Sequence, residues 1–215
     1  TLSGTLMWNQ MNKTSLTFFY SGQSGNPYSV VYAVGGNPFS NAANANLPYI
    51  PKDQNDIRLA DYTVNGQVYT ASRQWIDLNN FIEGDQYLKT RRGLYAERNA
   101  LRTPWNHELD IKLMHEFQLS KVNKHQSLQL SFDVFNVLNL LNNNWGHITF
   151  VTNANNYTVN ILKFVKDANN ISPGKPSSGY LPTFNFIRPT GLNGHYYTIE
   201  PINSRWQGQI GLKYN

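Results

Sequence analysis

Between residues 108 and 134 apolar and polar side chains alternate with a period of two, the mark of strands whose two faces meet different surroundings. Leu109, Ile111, Leu113, Phe117 and Leu119 share one parity, interrupted by His115, and Glu108, Asp110, Lys112, Met114, Glu116 and Gln118 hold the other. Beyond Val122-Asn123 the apolar set resumes at Leu128, Leu130, Phe132 and Val134, with Gln129, Ser131 and Asp133 opposite. A two-residue turn at Val122-Asn123 sets Leu113 against Phe132, Ile111 against Val134 and Lys112 against Asp133. Apolar then meets apolar on one face and a cation meets an anion on the other, whereas a slip of one residue would mix the faces. These strands reach the roughly 9–11 residues that a tilted strand needs to cross a bilayer.

The same pattern recurs at both ends of the chain. Leu2, Leu6 and Trp8 face Leu16, Phe18 and Tyr20 around Gln10-Met11-Asn12, where a loop of odd length keeps Leu6 against Leu16. The last segment presents Trp206, Ile210, Leu212 and Tyr214 on one face. Trp206 and Tyr214 are then about 26 Å apart along an extended strand, or about 20 Å in depth once tilted, which suits aromatic residues at two membrane interfaces. Weaker strands are predicted near 157–166 and 180–188. Between them run long irregular stretches, the longest at about 35–104, with a helix predicted over Trp75–Arg92 on the apolar stripe Trp75, Leu78 and Ile82. The pattern therefore predicts an all-β fold: an antiparallel transmembrane β-barrel segment of about seven strands with long extracellular loops. An odd strand count implies that further strands complete the barrel, because single-chain bacterial barrels have an even number. No signal peptide opens the chain, so it is expected to be mature or to start within something larger.

Composition agrees. Only 14% of the 215 residues are charged, against about a quarter in a water-soluble globule, while 13% are aromatic. Mean hydropathy is −0.49, and no apolar run approaches the roughly 18 residues of a membrane helix. Alternating lipid-facing and lumen-facing residues cancel in any window average, which reconciles a polar mean with membrane residence. The absence of cysteine excludes disulfides and thiolate metal sites. The net charge of +5 is dispersed, with Arg91-Arg92 as the tight pair, and no nucleic-acid partner is expected.

Several stretches resemble a known family. Arg92-Gly93-Leu94-Tyr95-Ala96-Glu97-Arg98-Asn99-Ala100, followed by Arg102-Thr103-Pro104-Trp105 and Leu109-Asp110, is similar to a motif of Bacteroidetes TonB-dependent receptors. Phe132-Asp133-Val134-Phe135-Asn136-Val137-Leu138-Asn139-Leu140-Leu141-Asn142 with Trp145-Gly146 resembles a second, and Asn46-Leu47-Pro48-Tyr49-Ile50-Pro51 and the closing Trp206–Tyr214 segment fit as well. The nearest group is the Oar-like receptors, which carry a carboxypeptidase-regulatory-like domain. The resemblance implies a barrel of about 22 strands around a plug, importing a ligand with energy delivered by TonB, and this chain would be the C-terminal part of that barrel. Its implied partners are outer-membrane lipid, the rest of the barrel and the plug, TonB through the plug region, and a surface lipoprotein. It implies the bacterial outer membrane as location, no cofactor and no enzymatic activity.

Catalytic and metal signals are weak beside this. The five histidines form no HxH or HExxH spacing. Asp53-Gln54-Asn55-Asp56 offers calcium-like oxygens without the Gly and distal Glu of a calcium loop. No G-x-S-x-G elbow is present, Gly22-Gln23-Ser24-Gly25 reads as a turn, and Glu83, Asp85, Glu97 and Glu108 are unexceptional on polar segments. Candidate ligand-binding residues are the loop aromatics and arginines Trp75, Tyr87, Arg91, Arg92, Tyr95, Arg98 and Trp105. Candidate lumen-facing residues are Glu108, Asp110, Lys112, Glu116 and Asp133. Two other readings stay open: a secreted β-rich module binding carbohydrate or another ligand, which would bury its apolar rows between two sheets, and a complete eight-stranded barrel, which would pair residues 1–9 with 203–214.

Overall fold

The computed structural model describes residues 2–8 (backbone), 13–33, 46–119, 126–151, 157–165 and 182–215. In chain order the first elements are β1 (Leu2–Trp8), β2 (Lys13–Gln23), β3 (Pro27–Tyr32), β4 (Arg58–Leu59), β5 (Tyr62–Val64), β6 (Gln67–Tyr69), α1 (Ala71–Gly84) and β7 (Leu101–Arg102). They are followed by β8 (Asn106–Gln118), β9 (Ser127–Phe135), α2 (Val137–Leu141), β10 (Thr149–Val151), β11 (Thr158–Val165), β12 (Thr183–Phe186), β13 (Tyr197–Ile199) and β14 (Gln207–Tyr214). The chain forms two compact units. The first comprises Thr1–Gly25, Pro104–Phe150 and Ile199–Asn215, and the second Asn26–Thr103 and Val151–Thr198.

The first unit is built on a five-stranded antiparallel sheet in the order β1-β2-β8-β9-β14. Its registers are those the alternation demands. Ile111 pairs with Val134, Lys112 with Asp133 and Leu113 with Phe132, and Leu6 lies opposite Leu16. The turns expected at Val122-Asn123 and Gln10-Met11-Asn12 lie outside the described residues. Parity is kept across the non-local pairings too. Leu16 meets Leu113 and Ile210 meets Phe132, so one lateral row reads Leu16, Leu113, Phe132, Ile210. These side chains are not in a dry interior: Leu113 is 43% exposed, Phe132 48% and Ile210 73%. Such rows on a water-soluble module would be covered by a second sheet. Among the described residues no ladder joins β1 to β14, so these five strands do not close into a barrel.

The second unit departs from the sequence expectation. The strands predicted near 157–166 and 180–188 do exist as β11 and β12, but they belong to a separate sheet in the order β4-β12-β11-β3-β7. The wall thus has five of the seven strands expected. This second sheet is mixed rather than antiparallel, because β11 runs parallel to β3 and β12 parallel to β4. The stretch at 35–104 is not an irregular loop where it is described: it supplies β4–β7 and α1. The reason is visible in β3, whose Tyr28, Ser29, Val30, Val31 and Tyr32 are all buried. A strand covered on both faces carries a continuous apolar run, not an alternation. Val30, Ile161, Leu162, Phe164, Phe184 and Phe186 form the centre of one hydrophobic core with Leu78 and Ile82 of α1.

Helix α1 also departs from its predicted span of Trp75–Arg92. It starts earlier because the Thr70 hydroxyl accepts the Arg73 N–H (3.3 Å) and the Asp61 carboxylate accepts the Ala71 N–H (2.6 Å), capping the first turn. It ends at Gly84 because the Asp85 carboxylate captures the N–H groups of Tyr87 and Leu88, both at 2.9 Å, and starts a separate 3-10 turn over Leu88–Arg91. Its buried stripe is Gln74, Leu78 and Ile82, one residue every four. Gln74 is fully buried yet satisfied: its amide donates to the carbonyls of Ala60 (2.7 Å) and Tyr69 (3.0 Å) and accepts the Phe186 N–H (2.9 Å).

Candidate functional site

The polar face of the wall is organised by cross-strand charge pairs. Lys112 on β8 reaches Asp133 on β9 at 3.0 Å, the neighbours expected from register. Glu116 pairs with Lys13 of β2 at 2.7 Å. Lys13 is not evident as a site residue from sequence, since the β2–β8 pairing joins segments about a hundred residues apart. Asp110 is committed to structure: its carboxylate accepts the Asn136 N–H at 2.8 Å, where β9 ends. Asn136 takes left-handed backbone (φ 52°), and its amide donates to the Gly146 carbonyl at 2.8 Å. A Cβ at Gly146 would lie 2.0 Å from the Asn136 amide oxygen, and Gly146 itself has φ +64°. The Phe135-Asn136 and Trp145-Gly146 words are therefore two halves of one turn. Glu108 shares the face with Asp110, Lys112, Glu116 and Asp133 and stands opposite Ser21. Phe19, opposite Asp110, interrupts this face with an exposed ring.

Trp105, grouped by sequence with the loop residues, belongs to the wall unit, immediately before β8. Its ring stacks on His107 (centroids 6.1 Å apart), which stacks in turn on Tyr20 (6.1 Å) and meets the Tyr20 hydroxyl through Nδ1 at 2.7 Å. Trp105, His107 and Leu109 have the same parity, so this aromatic cluster caps the apolar rows. On the same face His115 is paired with the Thr14 hydroxyl through Nδ1 at 2.6 Å. The break in the apolar alternation is thus hydrogen-bonded rather than bare.

In the second unit the predicted residues separate into scaffold and surface. Arg92 spends its guanidinium on Glu83 (2.5 and 3.0 Å), the Asn79 side chain (2.6 Å) and the carbonyls of Pro51 and Lys52 (both 3.1 Å). Arg91 clamps the Tyr95 carbonyl (2.9 and 3.2 Å), pairs with Glu97 (3.1 Å) and lies 5.9 Å from the Tyr87 ring centroid. The Tyr87 hydroxyl accepts the Glu97 N–H at 2.7 Å. Arg91, Arg92 and Tyr87 thus hold the loop in shape, while Tyr95 is 57% exposed and Arg98 is exposed. Trp75 packs partly on the core and lines a cleft of about 320 Å³ with Arg58 and Ser72.

A larger cleft of about 380 Å³ lies between Tyr32, Tyr49, Tyr95, Phe184, Asp56 and Arg58. Four of these six, Tyr32, Tyr49, Phe184 and Arg58, carry no sequence signal for a site, and Asp56 belongs to the calcium-like loop. Asp56 is instead a turn residue: its Oδ2 accepts the Tyr49 hydroxyl (2.7 Å) and the Lys52 N–H (3.0 Å). Those bonds, the backbone one first, hold its carboxyl below the usual range. Asp53 accepts the Asn55 N–H at 2.7 Å. Tyr32 is buried behind the cleft, and burial pushes its hydroxyl up to about 12.

The family model for an outer membrane beta barrel domain matches residues 14–186. No curated protein and no solved structure matches the chain.

Proposed function

The chain belongs to the outer membrane beta barrel domain family and resides in the bacterial outer membrane, and from that premise we propose that it forms part of the wall of a TonB-dependent transporter. The observation that carries the reading is the row structure of the five-stranded sheet. One face presents exposed Leu113, Phe132, Ile210 and Leu212, and the other presents Lys112–Asp133 and Lys13–Glu116. Outer-membrane lipid is the medium that accepts such an apolar face without penalty, and a water-filled or plugged lumen is the medium that suits the other. Among the described residues no strand pairs with the outer edges of β1 and β14, and in this reading further strands cover them, since an open edge is not tolerated in hydrocarbon. The rest of a barrel of about 22 strands, closed around a plug, supplies them.

The second unit enters through chain topology. The chain leaves for both of its segments, and returns from them, at one end of the sheet strands: after β2 and before β8, and after β9 and before β14. If β14 ends at the periplasmic side, that end is extracellular, where recognition loops of such barrels lie. Ligand capture would fall to this unit, import to the lumen, and energy to TonB acting on the plug, with a surface lipoprotein as a further partner. No step in this scheme is enzymatic. Growth on a nutrient panel tests it. A strain lacking this protein is expected to share a subset of the defects of a strain lacking TonB; a defect that persists independently of TonB would overturn transport.

A further inference from the structure

The cleft of the second unit has a composition that names a ligand chemistry. Its walls are two aromatic pairs: Tyr32 stacked on Phe184 (centroids 5.5 Å apart, 19° between planes) and Tyr49 edge-on to Tyr95 (5.6 Å, 69°). Tyr95 is the unusual member. Its ring stands mostly in solvent, yet its backbone is fixed twice, by the bridge to Tyr49 and by the Arg91 clamp on its carbonyl. An exposed ring on a rigid mount is a contact surface prepared in advance, with little ordering cost on binding. One acid and one base line the same cleft. Asp56 uses Oδ2 for the Tyr49 hydroxyl and the Lys52 N–H, and its Oδ1 has no hydrogen-bond partner among the described residues. Arg58 is exposed and makes no ion pair with a described residue.

We infer that this cleft binds a neutral saccharide, with Tyr95 stacking on a sugar ring and Asp56 and Arg58 engaging its hydroxyls. The inference deepens the transport reading, resting on it for the exposure of this unit to external ligand. One carboxylate and one guanidinium cancel, so the cleft selects no net charge. Hydroxyls donate to Asp56 Oδ1 and accept from the Arg58 fork, while the C–H faces of the ring lie on tyrosine. A zwitterionic amino acid also offers both charges. However, the volume of about 380 Å³ exceeds what one small amino acid fills and gives room for about two sugar rings.

The test uses the full-length protein in detergent with maltotetraose, cellotetraose, chitotetraose and xylotetraose as probes, and binding read by saturation-transfer NMR and calorimetry. At least one probe is expected to bind at one site per chain. Tyr95→Ala should weaken it roughly tenfold or more, Tyr95→Phe should retain it, and Arg58→Ala should weaken it severalfold. Unchanged circular dichroism keeps these variants interpretable, since both side chains are exposed. Failure of all four probes, binding indifferent to Tyr95→Ala and Arg58→Ala, or binding of a dipeptide such as Gly-Tyr in place of any sugar overturns the inference. Outer-membrane assembly with TonB-linked growth but no sugar binding would remove the saccharide and leave transport standing. Sugar binding at this cleft without TonB-linked growth would support the saccharide and remove transport.

Discussion

Ile210 and Gln209 are neighbours on β14 at the same depth, and the account gives them opposite surroundings. Trp206 and Tyr214 are eight residues apart, about 26 Å along the strand and about 20 Å in depth at the usual tilt. Ile210 lies midway, about 10 Å from either interface by the same spacing, in the row with Phe132 and Leu113. An arginine there enters hydrocarbon near the midplane and costs about 2–4 kcal/mol, a loss of about 30- to 900-fold in the folding equilibrium. Gln209 has the other parity and stands opposite Asp133, so Gln209→Arg places its charge in water beside a carboxylate and should change stability by less than about 0.5 kcal/mol. Equilibrium denaturant titration in lipid vesicles, followed by tryptophan fluorescence, measures both. Equal costs, or a larger cost for Gln209→Arg, would refute the facing of the sheet.

Other expectations concern the scaffold. Arg92→Ala should destabilise the second unit by about 2–4 kcal/mol, since it leaves two carbonyls and Asn79 without their donor, and Arg92→Lys should recover only part because an ammonium cannot span the same fork; thermal unfolding by circular dichroism reads this. Gln74→Leu should cost about 2–4 kcal/mol by stranding the Tyr69 carbonyl and the Phe186 N–H, and a neutral effect in the same assay would contradict the hydrogen-bond geometry. Gly146→Ala should disrupt the turn that ends β9, seen as loss of heat-modifiable folded protein, through both its collision with Asn136 and its positive φ. Tyr32 has a folded pKa of about 12, above its unfolded value near 10. Its contribution is therefore complete below about pH 10 and is lost as pH rises through about 12. Absorbance in the near ultraviolet should show late tyrosinate formation, and Tyr32→Phe should remove part of it.

The wall is legible in the sequence because each of its strands separates two media, and that separation writes itself into the chain as parity. Two hairpins and the Lys112–Asp133 pair follow from this alone. Parity also explains the error at β11 and β12: Val159 and Ile161, or Phe184 and Phe186, alternate like wall residues, and nothing local says which sheet a strand joins. Parallel pairing of β11 with β3 links residues more than a hundred positions apart, beyond any window. One further signal is present in the sequence. Asn65-Gly66, both at positive φ (51° and 79°), marks the tight turn joining β5 and β6. At the candidate site, register places the charges of the polar face, whereas the split of Arg91, Arg92 and Tyr87 into scaffold and Tyr95 into surface depends on which carbonyls lie nearby. The cleft shared by Asp56, Arg58 and Tyr95 is likewise a product of tertiary folding.

The facing of the sheet can be measured position by position, because a chain without cysteine accepts single spin labels cleanly. Labels placed in turn from Leu109 to Phe117, with the protein in bilayers, would be relaxed by oxygen or by a water-soluble nickel chelate. The account predicts a period of two: oxygen dominant at Leu109, Ile111, Leu113 and Phe117, nickel dominant at Asp110, Lys112, Met114 and Glu116. Low access to both reagents at Ile111 and Leu113 would mean a dry protein interior and would contradict membrane residence of this face.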